Sequence, residues 1–317
     1  MVNLRHMVES DLHVVSALLV DAFTQGRVDD GYQRIYVPPC KIEFLQMYFN
    51  EAPKGAFVIE ENGRLVAASF THVWGKTGWI GPLAVSSSRH ERGLGGQIMV
   101  RTVDYLKKAG CTTIGLETNP RSNRNLGFYG KLGFIPTHLT VDLIRDISQW
   151  TRSSTEYRLR YFSQGSAAEK RRFLVLVKEL TRKATSSVDY STLILNTELF
   201  SFGDTVLLLK EDRPVGFSVL HTQTVSDEEQ PNIAKIVVLF LLPQGYADFK
   251  KIIREIETIL RKDFFEKLLI RVPLTHPRIF QTLLRDGFRV INTDVRMTLE
   301  GYGEDVNSRF INLNRWS

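Results

Sequence analysis

The chain has 317 residues, a length that predicts two domains with hydrophobic cores of ordinary size. Its composition, with 43% hydrophobic and 24% charged residues, is typical of a folded water-soluble protein and excludes a disordered, collagenous or membrane-embedded chain. The net charge of +6 suits an anionic small-molecule ligand but falls short of the basic surface that nucleic-acid binding requires, so no nucleic-acid partner is expected.

The chain contains two cysteines, Cys40 and Cys111, so neither a disulfide framework nor a cysteine-based zinc site is expected. The seven histidines lack the paired spacing of a metal site, and we expect no metal. No segment is apolar enough for a secretory signal or a membrane helix, since the longest apolar run covers only residues 236–242. We expect a cytoplasmic protein with no membrane partner.

The first half of the chain alternates strand-like and helix-like patterns. A short strand over residues 4–6 precedes a helix, and a second helix covers residues 41–49. Two strand-like runs then flank Asn62-Gly63, a dipeptide that tolerates the positive φ angles of a tight hairpin turn. The apolar face of the first helix consists of Leu12, Val15, Leu18, Leu19 and Phe23.

A third apolar strand, a glycine-rich turn and a further helix follow the hairpin. The strand covers residues 79–85, and Gly110 is expected to end the helix. A strand over residues 112–117, a helix over 122–132 and an extended segment over 134–143 complete an α/β domain. The apolar positions of the helix after the turn are Leu94, Ile98, Met99, Val103 and Leu106.

The second half repeats this order of elements. Residues 149–156 are polar and lack periodicity, so they are predicted to separate a domain over 1–150 from a domain over 156–317. The dipeptide Gly-Phe ends the first pass at 133–134 and the second at 287–288, which indicates an internal duplication. Any two α/β domains share some of this alternation, which is the alternative explanation. The recurring elements cover residues 205–223, 234–242, 249–260, 268–272 and 277–285.

The segment Gly93-Leu94-Gly95-Gly96 lies between a strand and a helix, where unpaired backbone N–H groups and the positive end of the helix dipole converge. This arrangement binds a phosphate, and glycines let a bulky pyrophosphate approach the amides closely. Arg89, His90 and Arg92 flank the turn with positive or protonatable groups. Glycines alone are weak evidence, because the pattern also occurs in flexible turns, and the Walker and dinucleotide-binding motifs do not match.

Two motifs in this region resemble the GCN5-related N-acetyltransferase (GNAT) superfamily. The family's acetyl-CoA motif, Gln/Arg-x-x-Gly-x-Gly/Ala after a Leu-Ala-Val-like strand end, is matched by Leu83-Ala84-Val85 followed by His90-Glu91-Arg92-Gly93-Leu94-Gly95. The family's second motif is matched by Asn125-Leu126-Gly127-Phe128-Tyr129-Gly130-Lys131-Leu132-Gly133-Phe134. The resemblance covers residues 1–145. It departs from the family at His90, which stands where the family has Gln or Arg.

The resemblance implies an α/β protein with tandem acyl-CoA N-acyltransferase (GNAT) folds, each a mixed, mostly antiparallel sheet flanked by helices. Acetyl-CoA is the implied cosubstrate. Its pantetheine arm would lie where the strand over 79–85 splays from the strand over 112–117, and it would pair with main-chain groups of Leu83 and Val85. Gly81-Pro82 is expected to mark a bulge or an edge. The residues implied to bind the cosubstrate are Leu83, Ala84, Val85, His90, Glu91, Arg92, Gly93, Leu94, Gly95, Gly96, Asn125, Phe128 and Lys131.

Two side chains are implied to carry the chemistry. Tyr129 occupies the position of the family's tyrosine acid, and a phenol with a pKa of about 10 stays protonated and can protonate a leaving thiolate. Glu117, near the end of its strand, is the candidate base, because some family members carry a glutamate at a similar place. The simpler interpretations are that Tyr129 packs beside Phe128 and that Glu117 is an exposed strand glutamate paired with a nearby arginine.

The second copy lacks the signals for the cosubstrate. Gly245 is the single glycine where the turn should recur, Asp248 adds a negative charge there, and Leu283 stands where the tyrosine should recur. We therefore expect a degenerate GNAT-like domain that either walls the acceptor cleft or builds a homodimer. The tandem arrangement is similar to that of mycothiol synthase-like proteins, which is an architectural analogy.

Together these features predict an acetyl-CoA-dependent N-acetyltransferase that acts on a primary amine of a small molecule or peptide. Direct attack in a ternary complex is expected, because neither cysteine has the paired histidine motif of an acetyl-enzyme. Two alternatives stay open at this point: a longer acyl donor on the same scaffold, and a non-catalytic sensor or interaction module that binds coenzyme A.

Overall fold

The computed structural model describes residues 2–90, 92–147 and 156–315. The strands are Val2–His6 (β1), Phe57–Glu61 (β2), Arg64–Trp74 (β3), Thr77–Val85 (β4), Thr113–Thr118 (β5), Phe134–Asp146 (β6), Tyr157–Tyr161 (β7), Gly203–Lys210 (β8), Arg213–His221 (β9), Ile233–Leu241 (β10), Lys267–Pro273 (β11), Arg289–Leu299 (β12) and Ile311–Asn314 (β13). The helices are Leu12–Asp29 (α1), Ile42–Glu51 (α2), Leu94–Lys108 (α3), Asn123–Lys131 (α4), Ala167–Arg182 (α5), Ser191–Leu199 (α6), Gln244–Ala247 (α7), Phe249–Lys262 (α8) and Pro277–Arg285 (α9). Within these ranges, no helix has both the length and the apolar composition needed to cross a membrane.

The first half is built on the predicted hairpin between β2 and β3. Asn62 and Gly63 adopt φ angles of 50° and 78°, as its tight turn requires. Successive residues of β2 point to opposite faces of the sheet, so Val58 packs in a cluster with α1 and α2 while Phe57 and Ile59 pack against α3. Helices therefore cover both faces of β2, and its first three side chains, Phe57 to Ile59, are apolar.

The strands β4 and β5 separate soon after they meet. They pair in parallel only over Thr77–Trp79 of β4, and beyond this point no ladder joins them. Gly81 and Pro82 form a bulge, because both lie opposite Phe70 of β3. The predicted splay and the predicted bulge are thus confirmed, and they leave a wedge-shaped gap beside the second part of β4.

The second half follows the same plan, as the sequence predicts. β8 and β9 form a hairpin with Glu211 and Asp212 at φ angles of 51° and 58°, and β10 pairs in parallel with β11 only over Ile233–Ile236. The fold class of tandem, mostly antiparallel sheets flanked by helices is confirmed. The structure also contains elements that the sequence patterns did not indicate: β7, α5, α6, α7, β12 and β13.

The two halves exchange strands. β6, from the first half, pairs with β11 and β12 of the second half, while β12 pairs with β5 of the first half. One sheet therefore runs through both halves in the order β1-β2-β3-β4-β5-β12-β6-β11-β10-β9-β8-β7. The division into residues 1–150 and 156–317 stays a prediction, because most of the predicted boundary, residues 148–155, lies outside the described residues.

In the second half, the chain itself occupies the gap between β10 and β11. β13 pairs antiparallel with β10 over Val238–Leu241, directly beyond the point where β10 and β11 separate. Its side chains Ile311 and Leu313 are buried in the core. The corresponding gap of the first half, between β4 and β5, holds no strand among those described.

Candidate active site

A cavity of about 1320 Å³ occupies the gap between β4 and β5 and extends from the start of α3 to the second half of the chain. The volume exceeds the roughly 300–1,000 Å³ that is usual for a pocket holding one small ligand. One end, the coenzyme end, is lined by β4, the glycine turn and α4. The other end, the acceptor end, is lined by α2, β3 and residues of the second half. The cavity therefore has space for two ligands placed end to end.

The glycine turn presents free amides to the coenzyme end. Gly93 has a φ of 73°, a left-handed conformation that favours glycine, and α3 begins at the next residue. The first hydrogen bond of α3 runs from the Gln97 amide to the Gly93 carbonyl at 3.1 Å, and the amides of residues 94–96 have no acceptor among the described residues. A Cβ atom on Gly96 would meet nothing within 4 Å. The turn therefore offers both unpaired donors and open space, which a diphosphate requires.

Two arginines flank this turn and share one carboxylate. Arg89 donates from Nε to Glu61 at 2.5 Å, and Arg92 lies 3.7 Å from the other oxygen of the same side chain. The hydrogen bond from Arg89 lowers the pKa of Glu61, which therefore stays ionised. Among the described residues, two guanidinium groups thus face one carboxylate beside the glycine turn. The predicted cosubstrate residue Glu91 lies outside the described residues.

His90, the departure from the family motif, bridges β4 and α4. Its Nε2 atom lies 3.3 Å from the Val85 carbonyl, which can only accept, so Nε2 carries the proton. Its Nδ1 atom then accepts from Arg124 Nη1 at 3.1 Å, and the same nitrogen of Arg124 donates to Asp29 at 2.9 Å. His90 thereby holds the Arg124 guanidinium at the coenzyme end.

The second motif places α4 against the turn. Asn125 donates to Thr118 at 3.2 Å, which ties the start of α4 to the end of β5. A Cβ atom on Gly95 would lie 3.2 Å from the Phe128 ring, so any larger residue at this position would press on α4. The cavity is lined by these predicted residues: Leu83, Ala84, Val85, His90, Gly93, Leu94, Gly95, Gly96, Glu117, Asn125, Phe128, Tyr129 and Lys131. Arg92 is the described cosubstrate residue that does not line it.

Tyr129 lies on α4 and faces the cavity. Its ring centroid is 5.1 Å from that of Phe128 and 6.2 Å from that of Phe134, and its hydroxyl has no hydrogen-bond partner among the described residues. Burial raises the pKa of Tyr129 to about 12. The phenol is therefore protonated at neutral pH, and its proton is available to a ligand. The acid role that the sequence predicts is compatible with this geometry.

Glu117 does not have the surroundings of a general base. Its side chain is 1% exposed and forms ion pairs with Arg271 and, at 2.7 Å, with Arg296. Burial favours the neutral carboxyl, but the two guanidinium groups outweigh it and lower the pKa of Glu117 to about 2. A carboxylate with so low a pKa holds a proton too weakly to take one from an amine. The predicted base role is corrected accordingly: Glu117 is a buried counterion.

A buried pair that the sequence analysis missed lies at the acceptor end. His72 Nδ1 is 2.5 Å from Glu51 Oε2, and His72 Nε2 is 2.8 Å from the carbonyl of Gly81 at the bulge of β4. The carbonyl only accepts, so Nε2 carries a proton, and the pair shares one more between Nδ1 and the carboxylate. Tyr48 packs edge-on against the His72 ring at 4.6 Å. The only sequence signal for this pair was that each of its two polar residues lies close to apolar residues in the chain.

Residues of the second half close the acceptor end. The lining there includes Leu193 of α6, His221 of β9 and Lys235 of β10. The Lys41 amide donates to the Val225 carbonyl at 2.9 Å, which holds the loop after β9 against the start of α2. The second half therefore forms a wall of the acceptor end. This is one of the two roles that the sequence predicts for it, the other being a homodimer contact.

Part of the first half matches a known family model and a curated protein. Residues 19–134 match the model of the acetyltransferase (GNAT) family, and they include β2–β5, α2, α3 and α4. A curated mycothiol acetyltransferase from Acidimicrobium ferrooxidans is 32% identical over 97 residues. That match spans 29% of this chain and only 31% of the length of the relative.

Two solved structures share the fold over almost the whole chain. A protein from Pyrococcus horikoshii, provisionally described as an acetyltransferase, superposes with a TM-score of 0.68 at 16% identity, covering 99% of this chain and 95% of its own. A tandem GNAT protein from the clavulanic acid biosynthesis pathway superposes with a TM-score of 0.62 at 14% identity, covering 96% of this chain and 100% of its own. At these identities the likeness concerns the fold.

Proposed function

We propose that this chain, which belongs to the GNAT superfamily in its tandem form, transfers an acetyl group from acetyl-CoA to a primary amine within the cavity of its first half. The family supports acetyl transfer in general, and the amine acceptor and the direct attack are our proposal. The observation that carries it is one continuous cavity that joins the free amides of α3, the gap beside β4 and the Tyr129 side chain.

The coenzyme end provides for each part of the donor. The amides of residues 94–96 receive the diphosphate, and the excess of positive charge from Arg89, Arg92 and Arg124 suits the remaining phosphate. The pantetheine arm lies along β4 as an added strand, beyond the point where β5 separates from it. The thioester then reaches the bulge at Gly81, between the coenzyme end and the acceptor end.

The reaction proceeds by direct attack. The neutral amine forms a C–N bond to the thioester carbonyl carbon, and the tetrahedral intermediate collapses as the C–S bond breaks. The departing thiolate takes a proton from Tyr129, whose hydroxyl is protonated and has no partner in the described part of the chain. The nitrogen of the intermediate loses its surplus proton as the amide forms, and this proton restores the phenol of Tyr129. An amine with a pKa of about 10.4 is neutral at pH 7 at a cost of about 4.6 kcal/mol, so a group at the acceptor end must take its proton.

One coenzyme binds per chain. β13 occupies the gap of the second half at Val238–Leu241, the stretch of β10 that corresponds to the pantetheine-binding stretch of β4. The second half also lacks a glycine turn, since Gly245 lies within α7 and packs against Leu241. The second half therefore contributes walls to the acceptor end and no coenzyme site.

Steady-state release of coenzyme A thiol from acetyl-CoA, measured with a panel of primary amines, tests this function. Tyr129→Phe is expected to lower kcat by about 10²–10⁴-fold, the usual contribution of a general acid, with an unchanged affinity for coenzyme A. Tyr161→Phe in β7, near the opposite edge of the sheet, removes an equivalent hydroxyl and is expected to leave turnover unchanged.

The outcomes separate an enzyme from a sensor. Turnover by Tyr129→Phe within about threefold of the parent would assign the acid role to another group. Coenzyme A binding without thiol release on any amine of the panel would contradict the enzymatic function and favour a coenzyme-binding sensor.

A further inference from the structure

We infer that the acceptor is a small amine with a net positive charge, such as a diamine, and that its reactive ammonium binds to Glu51. This inference rests on the proposed function, because it assigns a substrate class to the acceptor end of the same cavity. Three features support it: the separation of charge along the cavity, the enclosure of the acceptor end and the placement of the Glu51 carboxylate.

The two ends of the cavity carry opposite charge. Among the described residues that line the coenzyme end, the cations Arg27, Arg89, Arg124 and Lys131 face one carboxylate, Asp30. Among those that line the acceptor end, the carboxylates Glu51, Glu117, Glu229 and Asp294 face the cations Lys235 and Arg315 and the proton that Glu51 shares with His72. The coenzyme end thus suits the phosphates of the donor, and the acceptor end suits a cation.

The residues behind the wall do not cancel this negative charge. Arg271 and Arg296 lie behind the acceptor end together with Asp142 and Glu304, and Arg271 also pairs with Asp294 at 2.8 Å. Among the described residues of this end and its wall, six carboxylates therefore face four cations and the one proton that Glu51 shares with His72, which leaves one negative charge in excess. The two lining cations are themselves paired, Lys235 with Glu229 and Arg315 with Asp142 at 3.2 Å. A ligand carboxylate placed here would have to compete with these carboxylates for cations already bound to them.

The acceptor end is closed by contacts between the two halves. Lys41 donates from Nζ to Thr224 at 2.7 Å, and Asn50 donates to Asn196 of α6 at 2.9 Å. The rings of Phe44 and Phe202 lie 5.6 Å apart across the same boundary. These contacts join α2 to the second half along its length. A folded protein or an extended peptide that approached from this side would have to break them to reach the bulge.

Glu51 is the carboxylate best placed to receive the ammonium. Its side chain is 2% exposed, it lines the cavity, and its Oε2 atom is held by His72. Its Oε1 atom has no hydrogen-bond partner among the described residues. Because His72 also contacts the Gly81 carbonyl, the pair stands at the bulge where the thioester arrives. The ammonium nitrogen gives one proton to the Glu51–His72 pair before it forms the C–N bond, and the pair releases a proton to solvent. The second proton leaves the nitrogen as the intermediate collapses, and it restores the phenol of Tyr129.

Two probes of equal chain length test the inference. The protein saturated with coenzyme A is titrated in a calorimeter with 1,4-diaminobutane and with 4-aminobutanoate, and both are then assayed with acetyl-CoA beside a lysine-containing peptide. We expect the diamine to bind at least 10-fold more tightly than the amino acid, and kcat/KM to follow the same order. The peptide is expected to be the poorest acceptor of the three.

Substitutions test whether Glu51 is responsible for the preference for the diamine. Glu51→Gln is expected to lower kcat/KM for the diamine at least 10-fold while the affinity for coenzyme A is unchanged. Glu43→Gln, on the exposed face of the same helix, is the matched control and is expected to change neither value. Should Glu51→Gln fail to fold, Asp294→Asn at the same end is expected to reduce the preference for the diamine over 4-aminobutanoate.

Failure of this inference is distinguishable from failure of the proposed function. Tight binding of coenzyme A, together with equal or better use of 4-aminobutanoate or of the peptide, would overturn the inference alone. The same holds if coenzyme A binds tightly and neither small probe binds. If coenzyme A itself fails to bind, the proposed function is contradicted.

Discussion

At the scale of single residues, the chemistry at the coenzyme end was predictable from the sequence, and the electrostatics of the acceptor end was not. The glycine turn and Tyr129 belong to motifs whose members are neighbours in the chain, so their spacing alone indicates a common site. Glu117 is different, because its partners Arg271 and Arg296 lie 154 and 179 residues away along the chain. Only the exchanged strands bring these three charges together, and they convert an expected base into a counterion.

The counterion role of Glu117 has a consequence for stability. Glu117→Gln removes the carboxylate that the buried guanidinium groups of Arg271 and Arg296 share and leaves them with Asp142, Asp294 and Glu304 alone, so we expect the free energy of unfolding to fall by about 3–5 kcal/mol. Denaturant unfolding at pH 7 measures this loss, with Glu43→Gln as a surface control. A loss no larger than that of the control would contradict the counterion role.

The same variant tests the pKa of the carboxylate. Its pKa is lowered to about 2 in the folded protein, against about 4.3 in an unfolded chain, so the unfolded state binds more protons between these values. The stabilisation is fully present above about pH 4.5 and is lost as the pH falls towards 2. We therefore expect the difference in stability between the parent protein and Glu117→Gln to shrink over this range. A difference that stays constant would contradict the lowered pKa.

At the scale of elements, local signals predicted the hairpins and helices, whereas the partners of the strands could not be read from the chain. Asn62-Gly63 determines its turn through positive φ angles, and Gly110 ends α3 in the same way at a φ of 79°. No comparable signal exists for β6, β12 or β13. Their partners lie in the other half or at the far end of the chain, and an apolar strand fits many edges equally well.

β13 offers a direct test at this scale. Leu313 is 1% exposed within the gap of the second half, so Leu313→Ala is expected to lower the free energy of unfolding by about 2–5 kcal/mol. Coenzyme A binding to the folded variant should be unchanged, because the first half supplies that site. Leu284→Ala, at a position 39% exposed on α9, is the matched control. If the two variants lose equal stability, β13 does not fill a core position.

At the scale of the whole molecule, the sequence indicated the duplication but not that the two copies share one sheet. Because β6 and β12 each pair across the boundary, neither half can complete its sheet without the other. We therefore expect a single unfolding transition with equal calorimetric and van 't Hoff enthalpies. Two separate transitions in a calorimetric scan would show that the exchanged strands do not couple the halves.

The two halves differ in the gap between their parallel strands. The first half retains an open gap and a glycine turn, while the second fills its gap with β13 and contributes a wall to the acceptor end. The central claim is therefore that a single coenzyme site lies between β4 and β5, with its diphosphate on the amides at the start of α3.

Calorimetric titration with coenzyme A tests this claim most directly. We expect one site per chain, and we expect Gly96→Leu to weaken binding at least 10-fold, because its side chain enters the open space beside the amides. Gly130→Leu, at an exposed helical glycine that does not line the cavity, should bind as the parent does. Two sites per chain, no binding, or equal affinity of Gly96→Leu and the parent would contradict the account.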